Sequence, residues 1–263
     1  MDPATAAPLM LGLDLGTTGA KAGIIDSAGR MIATTSAEYQ TRAPRPGWAE
    51  QDPHDWWSAC ASAVKSAVAS SGASGGDIRG IGVSGQMHGS VFLDSAMEPV
   101  APCIIWCDQR SSAQCRRITD DIGDEGLAAL VGNRALPGFT APKILWMKEH
   151  QPDLFARVRH VVLPKDYVNL RLCGELATEV SDASGTLLFD VRGRRWSDEM
   201  FDRLQIRRDW APVVLESPDR LGSLTAEAAA LTGLAAGTPL AAGGADNACG
   251  ALGMGVLDRK SVV

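Results

Sequence analysis

The segment from residue 9 to residue 19, which reads LMLGLDLGTTG, decides how this chain begins to fold. Its four leucines occupy every second position, and this alternation is the period of a β-strand. The GTTG that ends the segment predicts a turn, and residues 20–26 predict a second strand. A further turn at 27–29 leads into a third predicted strand at 30–39. Three consecutive short strands predict an antiparallel meander.

Downstream of the meander, predicted helices and strands alternate along the chain. Asp52 and Pro53 predict the N-cap and the first position of a helix that runs to about Ser71. The other predicted helices span 111–122, 141–150, 165–172, 197–204 and 224–232, and the other predicted strands span 78–83, 91–93, 103–106 and 239–242. Strands interleaved with helices predict an α/β layered domain.

The composition limits the classes of function that are open to this chain. Of its 263 residues, 45% are hydrophobic and 21% are charged, which is ordinary for a globular protein with a sizeable core. The net charge of −6 gives no general attraction to nucleic acid or to anionic lipid, so we expect neither partner. No apolar run approaches the roughly 18 residues of a membrane span.

The termini and the cysteines predict a cytoplasmic protein. Residues 1–10 have no basic region followed by an apolar one, so we expect no secretory signal. The six cysteines have no spacing that completes a zinc site, and a chain with a real core does not need disulfides. We therefore expect reduced thiols.

Asp14 and the turn that follows it are the first candidate site. A carboxylate at a strand end, beside Gly16, Thr17 and Thr18, can hold a magnesium ion. The N–H groups and hydroxyls of such a turn can meet phosphate oxygens, because glycine lets the backbone come close. The alternative is a plain hairpin in which Asp14 makes turn hydrogen bonds.

Asp246 is the second candidate, in the sequence GGADNACG that spans residues 243–250. A carboxylate between a glycine pair and a run of small residues lies where a ligand can approach closely. If a helix begins here, its N–H groups also favour a phosphate. The alternative is an ordinary aspartate N-cap, which stabilises a helix by about 1 kcal/mol.

Gln86, Met87 and His88 follow the apolar strand predicted at 78–83, and ligands of open α/β sheets collect at the carboxyl ends of strands. The amide and the imidazole could hydrogen-bond a polyol while Met87 packs on its carbon skeleton. The alternative is a structural histidine. The segment 106–110 (WCDQR) predicts a buried tryptophan and a surface pair of Asp108 and Arg110.

Taken together, these stretches resemble the FGGY family of carbohydrate kinases. The resemblance rests on residues 13–19 (LDLGTTG), 48–53 (WAEQDP), 85–89 (GQMHG), 137–146 (PGFTAPKILW) and 243–248 (GGADNA). It covers about residues 9–257, and within the family these segments are most similar to kinases of D-xylulose. Several separate motifs in the right order are far more specific than any one of them.

The resemblance implies an actin-like, ribonuclease-H-like α/β fold, with a mixed central sheet flanked by helices, in the first of two domains around a cleft. It also implies ATP and Mg²⁺ as cofactors. The γ-phosphoryl group of ATP would be transferred to a sugar hydroxyl, here the 5-hydroxyl of D-xylulose, to give D-xylulose 5-phosphate. The partner of the protein is then a small sugar.

The resemblance also implies roles for individual residues. Asp246 would be the catalytic base, and it would bind the sugar together with Met87, His88 and Asn247. Asp14 would lie at the metal, and Gly16, Thr17 and Thr18 would form the phosphate turn. Trp106 and Lys143 would line the wall of the cleft.

The family pattern is about twice as long as this chain. We expect residues 9–257 to be the N-terminal, sugar-binding domain, with the C-terminal nucleotide-binding domain missing. Residues 258–263 (DRKSVV) match one translation frame of a common sequencing adapter, so we expect a non-native tail. We expect this chain alone to be inactive or nearly so, and the full-length protein to be a possible homodimer.

Three other functions compete with this hypothesis. One is a kinase for another ketose or polyol, such as ribulose or glycerol. Another is a non-catalytic sugar-binding module, which would need neither Asp14 nor Asp246. A nucleic-acid enzyme of ribonuclease-H type would require a tight carboxylate cluster and a basic face, and the sequence offers neither.

Overall fold

The N-terminal strands form the antiparallel meander that the sequence predicts. The computed structural model describes residues 8–256, so the proposed tail at 258–263 lies outside the described residues. Strand β1 (Leu9–Leu15) pairs with β2 (Gly19–Ile25), and β2 pairs with β3 (Met31–Glu38), each antiparallel. The alternate leucines of β1 are buried, as their period requires.

One long helix covers the meander. After the short strand β4 (Glu50–Gln51), helix α1 (Pro53–Ser71) begins at the predicted position. The Asp52 carboxylate caps the helix by accepting from the His54 N–H at 3.0 Å. Trp56 of α1 is fully buried in the core that this helix shares with the central sheet.

The central sheet is mixed, and its strand order is β13 (Arg220–Ser223), β14 (Pro239–Ala241), β5 (Ile78–Gly85), β1, β2 and β3. Strand β5 (Ile78–Gly85) runs parallel to β1, and β15 (Gly244–Ala245) runs parallel to β5. In this register Leu15 lies beside Gly85, and Gly85 lies beside Ala245. Because parallel strands end at the same edge, the segments that follow β1, β5 and β15 meet there.

The remaining elements surround this sheet. The other strands are β6 (Val91–Leu93), β7 (Cys103–Ile104), β8 (His160–Val162), β9 (Ala177–Glu179), β10 (Phe189–Asp190), β11 (Arg195–Trp196), β12 (Val213–Leu215), β13 (Arg220–Ser223) and β14 (Pro239–Ala241). The other helices are α2 (Ser112–Ile122), α3 (Asp124–Val131), α4 (Thr140–His150), α5 (Pro152–Phe155), α6 (Pro164–Cys173), α7 (Val180–Ala183), α8 (Asp198–Leu204), α9 (Ala226–Thr232) and α10 (Asp246–Gly253). Three short 3-10 helices span Gly75–Asp77, Ser184–Thr186 and Arg208–Trp210.

A second hydrophobic cluster lies apart from the sheet core. It is built from Phe92, Ile144, Trp196, Phe201, Trp210 and their neighbours. Helices α3 and α5 and the short strands β8 to β13 were not predicted. Strands of two to four residues carry little local signal, because they pair only when tertiary contacts bring them together. The strand predicted at 103–106 is shorter than expected, since β7 ends at Ile104.

The fold bears on two predictions, one about membrane-spanning helices and one about the cysteines. Among residues 8–256, no helix is both long enough and apolar enough to cross a membrane. All six cysteines are free thiols, as predicted.

Gly243 joins β14 to β15 in a conformation that excludes other residues. Its φ is 83°, and a Cβ atom placed there would overlap the carbonyl oxygen of Val83 on β5. Gly250, in contrast, lies in α10 with nothing within 4 Å of such a Cβ. The connection into α10 therefore requires glycine at 243 and not at 250.

We expect Gly243→Ala to lower the free energy of unfolding by about 2–4 kcal/mol, from strain and overpacking combined. Gly250→Ala should raise it by up to about 1 kcal/mol, because alanine is the better helix former. Urea unfolding of the two variants measures both effects. Equal stabilities would contradict the account of Gly243.

Candidate active site

One cavity lies at the edge where the three parallel strands end. Its volume is about 180 Å³, and its lining residues are Met87, His88, Trp106, Asp246 and Asn247. Met87 and His88 follow β5, whereas Asp246 and Asn247 begin α10. The structure thus brings together the four residues predicted to bind sugar, together with Trp106 from the segment after β7.

Asp246 is the first residue of α10 and not its N-cap. Ala245 holds the cap position, so the interpretation of Asp246 as an ordinary N-cap is wrong. The Asn247 N–H donates to the Asp246 carboxylate at 2.7 Å. Partial burial raises the pKa of Asp246, the Asn247 N–H opposes that rise, and the negative charge of Asp14 adds to it. The two candidate carboxylates are therefore close enough to interact.

His88 is held in a single orientation. Its φ of 68° is in the left-handed region, and its ring packs edge-on against Phe139 with centroids 4.6 Å apart. Its Nδ1 lies 2.8 Å from the Gly185 carbonyl oxygen. Because a carbonyl can only accept, Nδ1 carries the proton and Nε2 is the acceptor of the neutral ring. Burial lowers the pKa of His88 to about 4, so the ring is neutral at pH 7.

Lys143 supports His88 from behind and does not line the cavity wall, so that expectation is wrong. The side chain is fully buried, and Nζ donates to the carbonyl oxygens of His88 at 2.9 Å and Gly138 at 2.6 Å. Burial lowers the pKa of Lys143 to about 7. Two of its N–H groups are therefore committed to backbone carbonyls next to the cavity lining.

The turn after β1 is anchored through all of its carbonyl groups. The Gly16 oxygen accepts from the Tyr39 hydroxyl and from Gln86 Nε2, and the Thr18 oxygen accepts from the Tyr39 N–H. Gln51 Nε2 donates to the Thr17 oxygen at 2.7 Å. With its carbonyls tied to the protein, the turn is held in one conformation.

Gln51 supports the turn of residues 16–18, a role that the sequence analysis did not predict. Its Oε1 accepts from Trp56 Nε1 at 2.9 Å and from Gln86 Nε2 at 2.8 Å, so it links α1 to the end of β5. The available signal was its position in the quoted WAEQDP stretch, where a polar residue precedes the helix cap.

Trp106 connects the turn to the cavity. Its ring is 46% exposed, so the expectation of a buried tryptophan is wrong. Its Nε1 donates to Thr17 Oγ1 at 3.0 Å. Asp14, Gly16, Thr17 and Thr18 do not line the cavity themselves, but this hydrogen bond places the turn beside it.

Asp108 and Arg110 are buried, and the expectation of a surface pair is wrong. The Arg110 guanidinium bonds Asp108 and Glu50, each at 2.7 Å, and stacks 3.8 Å above the Trp48 ring. Charge pairing and aromatic stacking together offset the free-energy cost of removing these charged groups from water. The pair fixes the segment that carries Trp106.

Comparison with known proteins shows the family to which this chain belongs. Residues 9–253 match the N-terminal domain of the FGGY family of carbohydrate kinases. The chain belongs to that family. The family predicted from the motifs is therefore confirmed.

Several relatives of this FGGY domain are named as xylulose kinases. It is 44% identical to the xylulose kinase of Lactococcus lactis, over 95% of this chain and 50% of the relative. It is 43% identical to that of Bacillus subtilis, over 94% and 50%. The crystal structure of xylulose kinase from Rhodospirillum rubrum superposes with a TM-score of 0.92 at 29% identity, over 95% and 51%.

Two conclusions follow from these relatives of the FGGY domain. The predicted actin-like, ribonuclease-H-like fold with a mixed central sheet is confirmed. The chain spans about half the length of the curated relatives it matches.

The residues of this FGGY domain also fit a magnesium ion that is bound mainly by phosphates. Among residues 8–256, no group of three or more His, Cys, Asp or Glu side chains could hold a metal by itself. Mg²⁺ is commonly held by one or two carboxylates together with substrate phosphates. Asp14, beside the turn, offers one such carboxylate.

We expect the buried neutral ring of His88 to make stability depend on pH. Its pKa is about 4 in the folded chain and near 6.5 when unfolded, so the unfolded state gains a proton first as pH falls. Between pH 7 and pH 5 the wild type should lose about 2 kcal/mol more stability than His88→Asn. Asparagine suits the left-handed backbone.

Urea unfolding at the two pH values measures this difference. His150→Asn is the matched control, and it should lose as much stability as the wild type. Equal losses in the wild type and in His88→Asn would contradict a buried neutral His88.

Proposed function

We propose that this chain is the sugar-binding half of an ATP-dependent kinase that phosphorylates the 5-hydroxyl of D-xylulose. The observation that carries the proposal is the single cavity that joins Asp246 and Asn247 to Met87 and His88, beside the anchored turn of residues 16–18. The xylulose kinases among its relatives support the choice of sugar.

The lining of the cavity suits a polyhydroxylated substrate. Asn247 and the Nε2 atom of His88 offer a donor and an acceptor for hydroxyl groups. Met87 and Trp106 offer apolar surface for the carbon skeleton of a sugar. The Asn247 amide also lies 3.8 Å from the Met87 sulfur, so the two contacts come from adjoining side chains.

Asp246 is proposed as the base that accepts the proton of the 5-hydroxyl. Its position at the start of α10 gives it one oxygen bound by the Asn247 N–H and leaves the other for substrate. The raised pKa of the carboxyl makes it a better proton acceptor than an ordinary aspartate. Phosphoryl transfer depends mostly on positioning and charge, so a moderate base is sufficient.

The anchored turn and Asp14 are proposed to face the phosphates of ATP. Thr17 and Thr18 contribute hydroxyls and N–H groups, and Asp14 would hold Mg²⁺. The metal, when bound, neutralises phosphate charge. The adenosine site would come from the second half of the longer protein. We place that longer protein in the cytoplasm, where it would act as a homodimer.

Calorimetric titration of this chain with D-xylulose tests the sugar site. We expect binding that His88→Asn weakens about tenfold, which is about 1.4 kcal/mol, through loss of the Nε2 acceptor. His150→Asn should bind as the wild type does. Equal binding of D-ribulose or glycerol would indicate another kinase of the family, and absence of heat from a folded chain would contradict binding by this half alone.

The catalytic role of Asp246 needs the second half of a kinase. We suggest joining this chain to the second half of the Lactococcus lactis xylulose kinase and measuring ADP release with D-xylulose. Asp246→Asn should lower kcat on the order of 10²–10⁴-fold with little change in KM, because a general base acts in the transition state. The exposed Asp153→Asn is the control. Full activity of Asp246→Asn would exclude this residue as the base.

A further inference from the structure

A buried polar cluster lies beneath the segment that leads from β14 through β15 into α10. None of its residues has a role in the proposed reaction. The cluster consists of Lys165, Asp166, Glu179 and Asp182, all of them fully buried, together with Ser181. Burying so many charged groups is costly unless their hydrogen bonds are satisfied. Several hydrogen bonds of the cluster reach the chain that leads into α10.

Glu179 organises one side of the cluster. Its carboxylate accepts from the Asp182 N–H at 2.7 Å, from the Ser181 N–H at 2.8 Å and from the Ser217 hydroxyl at 2.8 Å. The Ser181 hydroxyl also donates to this carboxylate, at 2.7 Å from Oε1. Ser181 Oγ is the donor in this contact, so its single hydroxyl proton is committed to Glu179.

Because the Ser181 hydroxyl donates its proton to Glu179, its oxygen can only accept further hydrogen bonds. The Ala245 N–H donates to it at 3.0 Å. Ala245 is the last residue of β15, immediately before Asp246. A chain of two hydrogen bonds thus runs from the buried Glu179 carboxylate to the backbone N–H of Ala245, the residue before the candidate base.

Ala242, at the start of the segment between β14 and β15, is also held by hydrogen bonds. Lys165 Nζ lies 2.5 Å from Asp166 Oδ1 and 3.8 Å from Asp182 Oδ2. It also donates to the Ala242 carbonyl oxygen at 3.4 Å, and Asn169 Nδ2 donates to that oxygen at 3.1 Å. The cluster therefore grips the chain at Ala242 and at Ala245.

These tethers add to the pairing of β15 with β5, which is the other support of the chain just before Asp246. Strand β15 is only two residues long, and none of the residues of α10 is buried. The orientation of the Asp246 carboxylate therefore depends on the position of the junction between β15 and α10. Small displacements of a reacting group are costly for catalysis.

We propose that Ser181, held by Glu179, is the positioning residue that orients Asp246 toward the cavity. The catalytic consequence rests on the proposed function, whereas the tether itself does not. The titratable groups that face Asp246 are Asp14 from β1 and Asp182 from α7, and burial raises the pKa of Asp182 well above the ordinary aspartate value.

The test measures the carboxyl of Asp246 directly in this chain. Carbon-13 NMR of chain labelled at the aspartate Cγ gives its pKa, with the signal assigned from Asp246→Asn. We expect Ser181→Ala to shift that pKa toward the ordinary aspartate value, because a released carboxyl reaches solvent and loses the burial that raises its pKa. Ser181→Thr keeps the hydroxyl and should retain the raised pKa.

Ser217→Ala is the matched control, since it removes a hydrogen bond from Glu179 without touching Ala245. It should leave the pKa of Asp246 unchanged. If Ser181→Ala does not fold, Ser181→Val against the isosteric Ser181→Thr makes the same comparison. An unchanged pKa without the hydroxyl, or an equal shift in Ser217→Ala, would overturn the proposal.

A second readout separates this proposal from the proposed function. In the joined kinase, Ser181→Ala should lower kcat about ten- to a hundredfold and change KM less than about twofold, with recovery in Ser181→Thr. Failure of the wild type to bind D-xylulose would count against the sugar assignment and leave the NMR result to decide the tether. A normal kcat in Ser181→Ala would overturn the positioning role while the kinase proposal stands.

Discussion

The parallel pairing of β1, β5 and β15 is the constraint on which the site depends. Leu15, Gly85 and Ala245 lie side by side, so three segments far apart in sequence leave the sheet at one edge. Backbone hydrogen bonds fix this register, and a slip of one residue would turn the side chains of a strand to the opposite face. Gly243 lets β15 approach β5 closely enough to complete the arrangement.

Behind this edge, buried polar groups do the positioning. Gln51 holds the turn of residues 16–18, Lys143 holds the His88 backbone, and Glu179 holds the residue before Asp246 through Ser181. None of these three lines the cavity. In a low-dielectric interior such hydrogen bonds are strong and directional, which gives the lining side chains defined positions.

Local patterns predicted the local elements well. The alternating leucines of β1 and the Asp52 cap of α1 are signals within a few residues, and both elements form where expected. The short strands β8 to β13 carry no such signal. Trp106 and Arg110 were assigned the wrong environments, because exposure depends on partners such as Trp48 that are distant in sequence.

The sequence by itself determined the family, the mixed α/β fold and the identity of the candidate residues, because motifs in a fixed order and the period of the leucines are readable without coordinates. Only the tertiary structure decided that Met87, His88, Asp246 and Asn247 share one cavity and that Lys143 stands behind it. It also decided that Asp246 begins α10. The physical reason is that burial and hydrogen-bond partners belong to the packed chain, where parallel strand ends bring distant segments together.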